Sequence, residues 1–149
     1  MPLKRLIYTS RIAPNLLLSD FFHIMDHAKA ANQRRGISGL LIFSTRFFAQ
    51  WLEGETSAID RLYASIAKDV RHSAVTVREQ CPIIQNRWSA WGMNLGLLVH
   101  VDGLSDSGDP SQMVDFEEEA KDLVKLRQRF FLAAQQLQLT PPEPTPKWQ

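Results

Sequence analysis

A tyrosine and an amide in two strand-like segments are the side chains of this chain most able to do chemistry together. Gln50 lies in the apolar run at residues 46–53, and Tyr8 lies in the run at residues 6–10. Side chains alternate along a strand, so Gln50 shares its face with Phe48 and Leu52, which favours an inward position. A buried amide left unpaired costs roughly 1–3 kcal/mol, so a protein group or a bound ligand must meet it. Tyr8 is the obvious protein partner, and the pair predicts a polar site inside the core.

The elements that position this pair follow from hydrophobic periodicity and turn signals. Their order, β-α-β-β-α-β-β, is typical of an α+β, ferredoxin-like sandwich with two helices on one face of a mixed sheet and one extra strand. The first predicted elements are a strand at residues 6–10, a helix capped by Ser19 or Asp20 and closed by Gly36, and a hairpin at residues 38–52. A second helix follows, with a capping box of Ser57 and Asp60, and ends near Asp69. The last predicted strands lie at residues 75–77 and 91–97, with a loop at residues 82–87 between them.

The C-terminal third is predicted to be a separate helical extension. Residues 1–98 form the predicted domain, and the segment 99–109, rich in Gly, Ser and Asp, is predicted to be a linker. The extension over residues 110–140 is predicted to form a helix or helices. Asp109 and Pro110 predict the N-cap and first position of a helix that runs to about residue 139, with Glu117 and Lys121 paired on its exposed side. Its apolar stripe requires cover, which the free face of the sheet offers, and the proline-rich tail 141–149 follows. The stripe comprises Phe116, Ala120, Leu123, Val124, Phe130, Ala134 and Leu137.

Composition and charge weigh against several classes of function. The 149 residues carry 17 Lys and Arg against 16 Asp and Glu, a net charge of +1, so no overall field attracts nucleic acid or an acidic membrane. The single cysteine, Cys81, cannot form an internal disulfide and has no clustered ligands for a metal, which indicates a reducing compartment. No apolar run approaches the roughly 20 residues that span a bilayer. We expect a cytoplasmic protein with no metal, membrane or nucleic-acid partner.

Five segments, in order along the chain, resemble the motifs of the BLUF domains, a family of flavin-binding blue-light sensors. They read RLIYTS at residues 5–10, NQRRGISGLL at 32–41, FFAQWLEG at 47–54, DVRHS at 69–73 and WSAWGM at 88–93. The resemblance covers roughly residues 3–97. It implies a noncovalently bound FAD, with FMN left open, and it implies that the excited flavin takes an electron and then a proton from Tyr8. Gln50 then rotates or tautomerises to give the flavin carbonyl a new hydrogen bond, which shifts absorption to the red.

The resemblance and the chemistry of a flavin together give a set of candidate site residues. A flavin ring has apolar faces, for which Ile24, Ala28 and Ile66 offer walls, and a polar edge that amide side chains can read. Arg71 and His72 could meet the ribityl or phosphate part, although a solvated polar turn is the alternative interpretation. The candidate photoactive residues are Tyr8, Gln50, Trp91 and Met93, and the candidate cofactor-binding residues are Ile24, Ala28, Asn32, Phe48, Gln50, Ile66, Asp69, Arg71 and His72.

The expected output is a signal to another molecule. About 50 residues after the last strand are too few for an enzyme, so we expect no enzymatic activity and a signal in trans, to a downstream protein or through a homo-oligomer. The sequence has no G-x-G-x-x-G, which excludes a Rossmann mode of binding FAD. The alternatives are a small flavin-dependent oxidoreductase and a ferredoxin-like module for a small ligand or RNA, although the third strand lacks the glycine and spacing of RNA-binding sheets.

Overall fold

The computed structural model describes residues 2–44, 46–86, 93–100 and 116–136. The predicted order β-α-β-β-α-β-β is confirmed, and two C-terminal helices follow it. The elements are β1 (Leu3–Ile12), α1 (Leu18–Arg34), β2 (Ser38–Ser44), β3 (Phe47–Glu55), α2 (Thr56–Lys68), β4 (His72–Ile83), β5 (Met93–His100), α3 (Phe116–Glu119) and α4 (Leu123–Gln136). Within the described part of the chain, no helix is both long and apolar enough to cross a membrane.

The strands form one mixed sheet in the order β4-β1-β3-β2-β5. Strand β3 is antiparallel to both β1 and β2, β1 is antiparallel to β4, and β5 runs parallel to β2. This is the split βαβ arrangement of the predicted α+β, ferredoxin-like fold. Gly39 allows β2 and β3 to approach closely, because a Cβ atom at this position would lie 2.0 Å from the carbonyl oxygen of Trp51.

The sheet has two packed faces, as the predicted docking of the C-terminal extension requires. On the cavity face, β1 and β3 pack against α1 and α2 through residues that include Leu6, Phe48 and Ile59. On the opposite face, here called the C-terminal face, α3 and α4 cover Ile7, Ala49 and Trp51. The alternation of side chains along β3 supplies both faces from one strand. Trp51 is the largest side chain in the core and is fully buried.

Both predicted N-caps of the first two helices are wrong. Helix α1 has Leu17 as its N-cap and α2 has Glu55, and neither cap makes a side-chain hydrogen bond. Helix α2 follows β3 directly, and the Thr56 amide donates to the Pro2 carbonyl at 3.0 Å, so the helix begins before the predicted capping box. Ser57 instead donates to Glu55 at 3.1 Å, and Asp60 pairs with Lys4. The predicted helix ends are confirmed, with Gly36 at φ 70° after α1 and Asp69 as the C-cap of α2.

The last two strands are longer than predicted. Strand β4 begins at His72 and ends at Ile83, so it includes Pro82, which was predicted to lie in a loop. Because β4 is an edge strand of the described sheet, a proline without an amide proton is tolerated there. Strand β5 runs to His100, so residues 99 and 100 of the predicted linker are strand residues. Trp91 lies outside the described residues, and of Met93 only the backbone is described.

The C-terminal extension contains two helices on the free face of the sheet, and the prediction that its first helix continues unbroken to about residue 139 is wrong. A turn at residues 120–122 separates α3 from α4, because the Asp122 carboxylate accepts hydrogen bonds from the amides of Val124 and Lys125 and so caps α4. Glu117 pairs with Arg11 and Lys121 with Glu118, not with each other as predicted. Four residues of the predicted apolar stripe are buried, and Val124 is exposed; the buried ones are Phe116, Ala120, Phe130 and Ala134. Leu126 and Ala133, which were not part of the predicted stripe, are also buried. Asp109, Pro110, Leu137 and the tail 141–149 lie outside the described residues.

Candidate functional site

Tyr8 and Gln50 meet across the two central strands. The register of β1 and β3 places them directly opposite each other, and both side chains are buried, with exposures of 2% and 3%. The Tyr8 hydroxyl donates a hydrogen bond of 2.5 Å to Gln50 Oε1. The convergence predicted from the two strand patterns is therefore observed.

The surroundings of Tyr8 keep its phenol protonated. Burial raises the pKa of Tyr8 well above its ordinary value, and electrostatic interactions with Tyr63 and Asp69 raise it further. A protonated phenol donates to Gln50, so the amide presents Oε1 to Tyr8. This arrangement leaves both N–H donors of Gln50 Nε2 for a different acceptor. The amide therefore accepts at one end and can donate at the other.

A cavity of about 60 Å³ opens beside this pair, between α1, α2 and the start of β4. Most of its wall is apolar, because α1 contributes Phe21 and Ile24, α2 contributes Ile66, and β3 contributes Phe48. The remaining lining residues are Tyr8, Asp69, Arg71 and His72. The cavity is partly open, so a ligand larger than the enclosed volume would extend from it towards the surface. Its shape offers apolar faces with polar groups at one end.

The polar end of the cavity is held by hydrogen bonds within the protein. Arg71 Nε donates to the two carboxylate oxygens of Asp69 at 2.8 and 3.0 Å, and this bond lowers the pKa of Asp69 to about 2. His72 Nε2 lies 2.7 Å from the Ile66 carbonyl, which can only accept, so Nε2 carries a proton. His72 Nδ1 is paired with the Ser10 hydroxyl. His72 is thus fixed between α2 and β1, while Arg71 is half-exposed.

The structure brings most, but not all, of the candidate residues to the cavity. Ile24, Phe48, Ile66, Asp69, Arg71 and His72 line it together with Tyr8. Gln50 reaches it only through Tyr8, Ala28 packs against the cavity-face core, and Asn32 is buried in the last turn of α1. Phe21 also lines the cavity, although it is not among the candidate residues. Its position one helical turn before Ile24 was the available signal, and its ring lies 5.1 Å from that of Phe48.

These groups fit the chemistry of a flavin. The ring system needs apolar contact on its flat faces, which Ile24, Phe48 and Ile66 can provide. Its carbonyl and N–H edge needs donors and acceptors, for which the buried amides of Gln50 and Asn32 are the candidates, although neither lines the cavity. Among the described residues, no group of His, Cys, Asp and Glu side chains is arranged to hold a metal ion.

The sequence matches a family model and several curated proteins. Residues 3–94 match the family model "BLUF: Sensors of blue-light using FAD". The chain is 31% identical over 105 residues to photoactivated adenylate cyclase subunit alpha of Euglena gracilis, which covers 69% of this chain and 10% of that protein. The chain therefore spans about a tenth of the length of the curated relatives that it matches.

Two solved structures, those of BlrB and BlsA, have the same fold as this chain. The dark-state structure of BlrB, a BLUF protein, matches with a TM-score of 0.67 and 28% identity, covering 90% of this chain and 97% of that one. The ground state of BlsA matches with a TM-score of 0.56 and 32% identity, covering 61% and 62% of the two chains. Because the family model covers well over half of the chain and the fold agrees, this protein belongs to the BLUF family, the sensors of blue light that use FAD.

Proposed function

We propose that this protein is a blue-light photoreceptor that binds FAD noncovalently and uses Tyr8 and Gln50 as its photoactive pair. The observation that carries the proposal is the buried hydrogen bond from the Tyr8 hydroxyl to Gln50 Oε1 at the wall of an apolar cavity. The family description names FAD, and FMN remains the alternative cofactor. The balanced charge and the absence of a membrane-spanning helix among the described residues fit the further proposal of a cytoplasmic protein.

Each part of the site has a proposed role in holding the cofactor. Ile24, Phe48 and Ile66 pack against the faces of the ring system, with Ala28 beside them, and the amides of Asn32 and Gln50 bind its polar edge. Asp69, Arg71 and His72 stand at the polar end of the cavity, where the ribityl or phosphate part would lie. The hydrogen bonds between Arg71 and Asp69 support this role, because they orient both groups before a ligand arrives.

The switch follows from the chemistry of the two side chains. When bound, the flavin supplies absorption of blue light and an electron-accepting excited state. Tyr8 is suited to give an electron, and then a proton, to that excited state and to take both back afterwards, because its buried phenol is protonated and already hydrogen-bonded. Loss of that proton removes the donor to Gln50 Oε1, which frees the amide to rotate or tautomerise. Because the two ends of an amide have opposite hydrogen-bonding character, this change alters what every neighbour of Gln50 can pair with.

We propose that the output acts in trans, on a downstream protein or through a homo-oligomer, and that the chain itself has no enzymatic activity. The relatives named above are adenylate cyclase subunits of which this chain matches about a tenth, so their catalytic activity is not carried over here. Trp91 and Met93, the remaining candidate photoactive residues, are proposed to relay the change at Gln50, since β5 begins at Met93 beside Gly39 of β2.

The test is a blue-light difference spectrum of the flavin-loaded protein and two tyrosine variants. Tyr8→Phe should keep the flavin and lose the red-shifted state, because only the hydroxyl that donates the electron and proton is removed. Tyr63→Phe is the matched control, since the chain has two tyrosines and the Tyr63 ring lies 6.2 Å from that of Tyr8. Gln50→Ala should also bind flavin without a shift. A normal shift in Tyr8→Phe would exclude Tyr8 from the mechanism.

A further inference from the structure

Three charged side chains are buried together between the C-terminal face of the sheet and α4. They are Arg5 on β1, Glu79 on β4 and Arg127 on α4, with side-chain exposures of 10%, 12% and 14%. Arg5 Nε donates to Glu79 Oε1 at 2.8 Å, and Arg127 Nη2 pairs with Glu79 Oε2. One carboxylate therefore links the central strand β1, the edge strand β4 and the C-terminal helix. We call these three residues the Arg-Glu-Arg cluster.

The cluster is sensitive to small displacements because its charges are held out of water. Burial lowers the pKa of Arg127, and the positive charge of Arg5 lowers it further. The two guanidinium groups repel each other, and two carboxylates offset this repulsion: Glu79, which both guanidinium groups contact, and the buried Glu53, which lies opposite Arg5 on β3. The Coulomb energy between two charges is larger where the local dielectric constant is low. A displacement of Glu79 therefore changes the packing of α4 on the sheet more than the same displacement in an exposed ion pair would.

The cluster is connected to the photoactive pair through β1 and β3. Trp51 follows Gln50 on β3 and faces the C-terminal side, where its ring lies 5.4 Å from the Arg5 guanidinium. Along β1, Ile7 is opposite Glu79 and Tyr8 is opposite Val77, with a register shift between them. Arg78 is the extra residue of this bulge. A bulge interrupts the hydrogen-bond ladder and increases the local twist of the strands. A movement of β1 at Tyr8 can therefore displace Glu79 on β4.

We propose that the Arg-Glu-Arg cluster is the contact through which α4 responds to a change at Tyr8 and Gln50. The route runs through β1 and the edge strand β4, and it is separate from the proposed relay through Met93 and β5. This inference rests on the proposed function and goes beyond it, because it assigns to Glu79 and Arg127 the control of the C-terminal helix. Neither residue touches the cavity.

The experiment is hydrogen exchange of the full-length, flavin-loaded protein in darkness and under blue light, following amides of residues 123–136. Arg127→Met removes the helix partner but leaves the pair of Arg5 and Glu79 intact, so the sheet should still fold. We expect an unchanged red shift, dark exchange in α4 faster by about tenfold or more, and loss of the light-induced change in α4. Arg127→Lys, which keeps the charge, should retain most of the light-induced change.

Glu119→Gln is the matched control, because Glu119 forms a similarly buried pair with Arg129 inside the C-terminal extension and does not touch the sheet partners. It should speed dark exchange in α4 and still allow the light response. A wild-type light response in Arg127→Met, or an equal loss in Glu119→Gln, would overturn the inference. A wild-type protein that shifts to the red without any change in α4 would also overturn it. A wild-type protein with no red shift would instead refute the proposed function.

Discussion

The two faces of the sheet are built from the same strands but are packed in different ways. On the C-terminal face, aromatic rings meet edge to face, with centroids of Trp51 and Phe130 at 5.4 Å and of Phe47 and Phe116 at 5.5 Å. On the cavity face, Ile24 and Ile66 are only half-buried and border an open space. The difference separates two tasks, since one face is filled by the protein itself while the other keeps room for a ligand. Gln50 and Trp51, adjacent on β3, belong one to each face.

Of the variants that test the difference between the two faces, Trp51→Ala is expected to lower the free energy of unfolding most. Trp51 is fully buried against α4, so its removal should lower the free energy of unfolding by about 3–5 kcal/mol. Because Trp51 lies on the face away from the cavity, this loss should be the same with and without flavin. Urea unfolding of the protein in both forms measures it.

Ile66→Ala is the matched variant on the cavity face. Ile66 is half-buried at the cavity wall, so its removal should cost less than that of Trp51 in the flavin-free protein and more once flavin is bound. Equal losses for the two variants in the flavin-free protein would remove the distinction between a filled face and a face with room for a ligand.

A smaller effect, confined to the cavity face, is expected from Asn32→Ala. Asn32 is buried at the end of α1, and its proposed role is to bind the polar edge of the flavin. Loss of that hydrogen bond should weaken flavin binding by about 1–3 kcal/mol, measured as flavin release on dilution. Gln33→Ala, at the exposed neighbouring position, should bind flavin as the wild type does. Unchanged binding in Asn32→Ala would show that Asn32 serves only the end of the helix.

The smallest change in the free energy of unfolding is expected at Ala74, on the edge strand β4. Ala74 has φ 56°, in the left-handed region, and lies in the second register shift between β1 and β4. Because glycine adopts this conformation without a Cβ clash, Ala74→Gly should raise the free energy of unfolding by about 0.5–1 kcal/mol. Ala67→Gly, at an exposed site within α2, should lower it by about 1 kcal/mol in the same urea titration. A lower stability of Ala74→Gly would contradict this account of the bulge.

The parts of the fold that were predictable are those governed by one periodic signal. Alternation along residues 47–52 placed Phe48, Gln50 and Leu52 on the face opposite Trp51, and the structure agrees. The motif resemblance extended this to the family and to most of the cavity lining. The meeting of Tyr8 and Gln50 was expected for the same reason, since both occupy inward positions of predicted strands.

The parts that were missed depend on competition between local signals and tertiary contacts. The predicted single helix is interrupted at Asp122, which caps α4, although the apolar stripe continues on both sides of this residue. The capping box of Ser57 and Asp60 was overridden because β3 runs directly into α2. The Arg-Glu-Arg cluster joins residues far apart in sequence, and neither of its ion pairs leaves a local pattern.

The antiparallel pairing of β1 with β3 also determines when the site can come into being. Tyr8 and Gln50 are 42 positions apart, whereas β2 and β3 form a hairpin between neighbouring segments. Contacts between distant segments form late in folding, since the entropy of closing a long loop must be overcome first. A newly made chain with only the hairpin in place would lack the donor to Gln50 and one wall of the cavity. Under the proposed function, cofactor uptake therefore marks the completion of folding, and a chain that has acquired colour has already assembled its sheet.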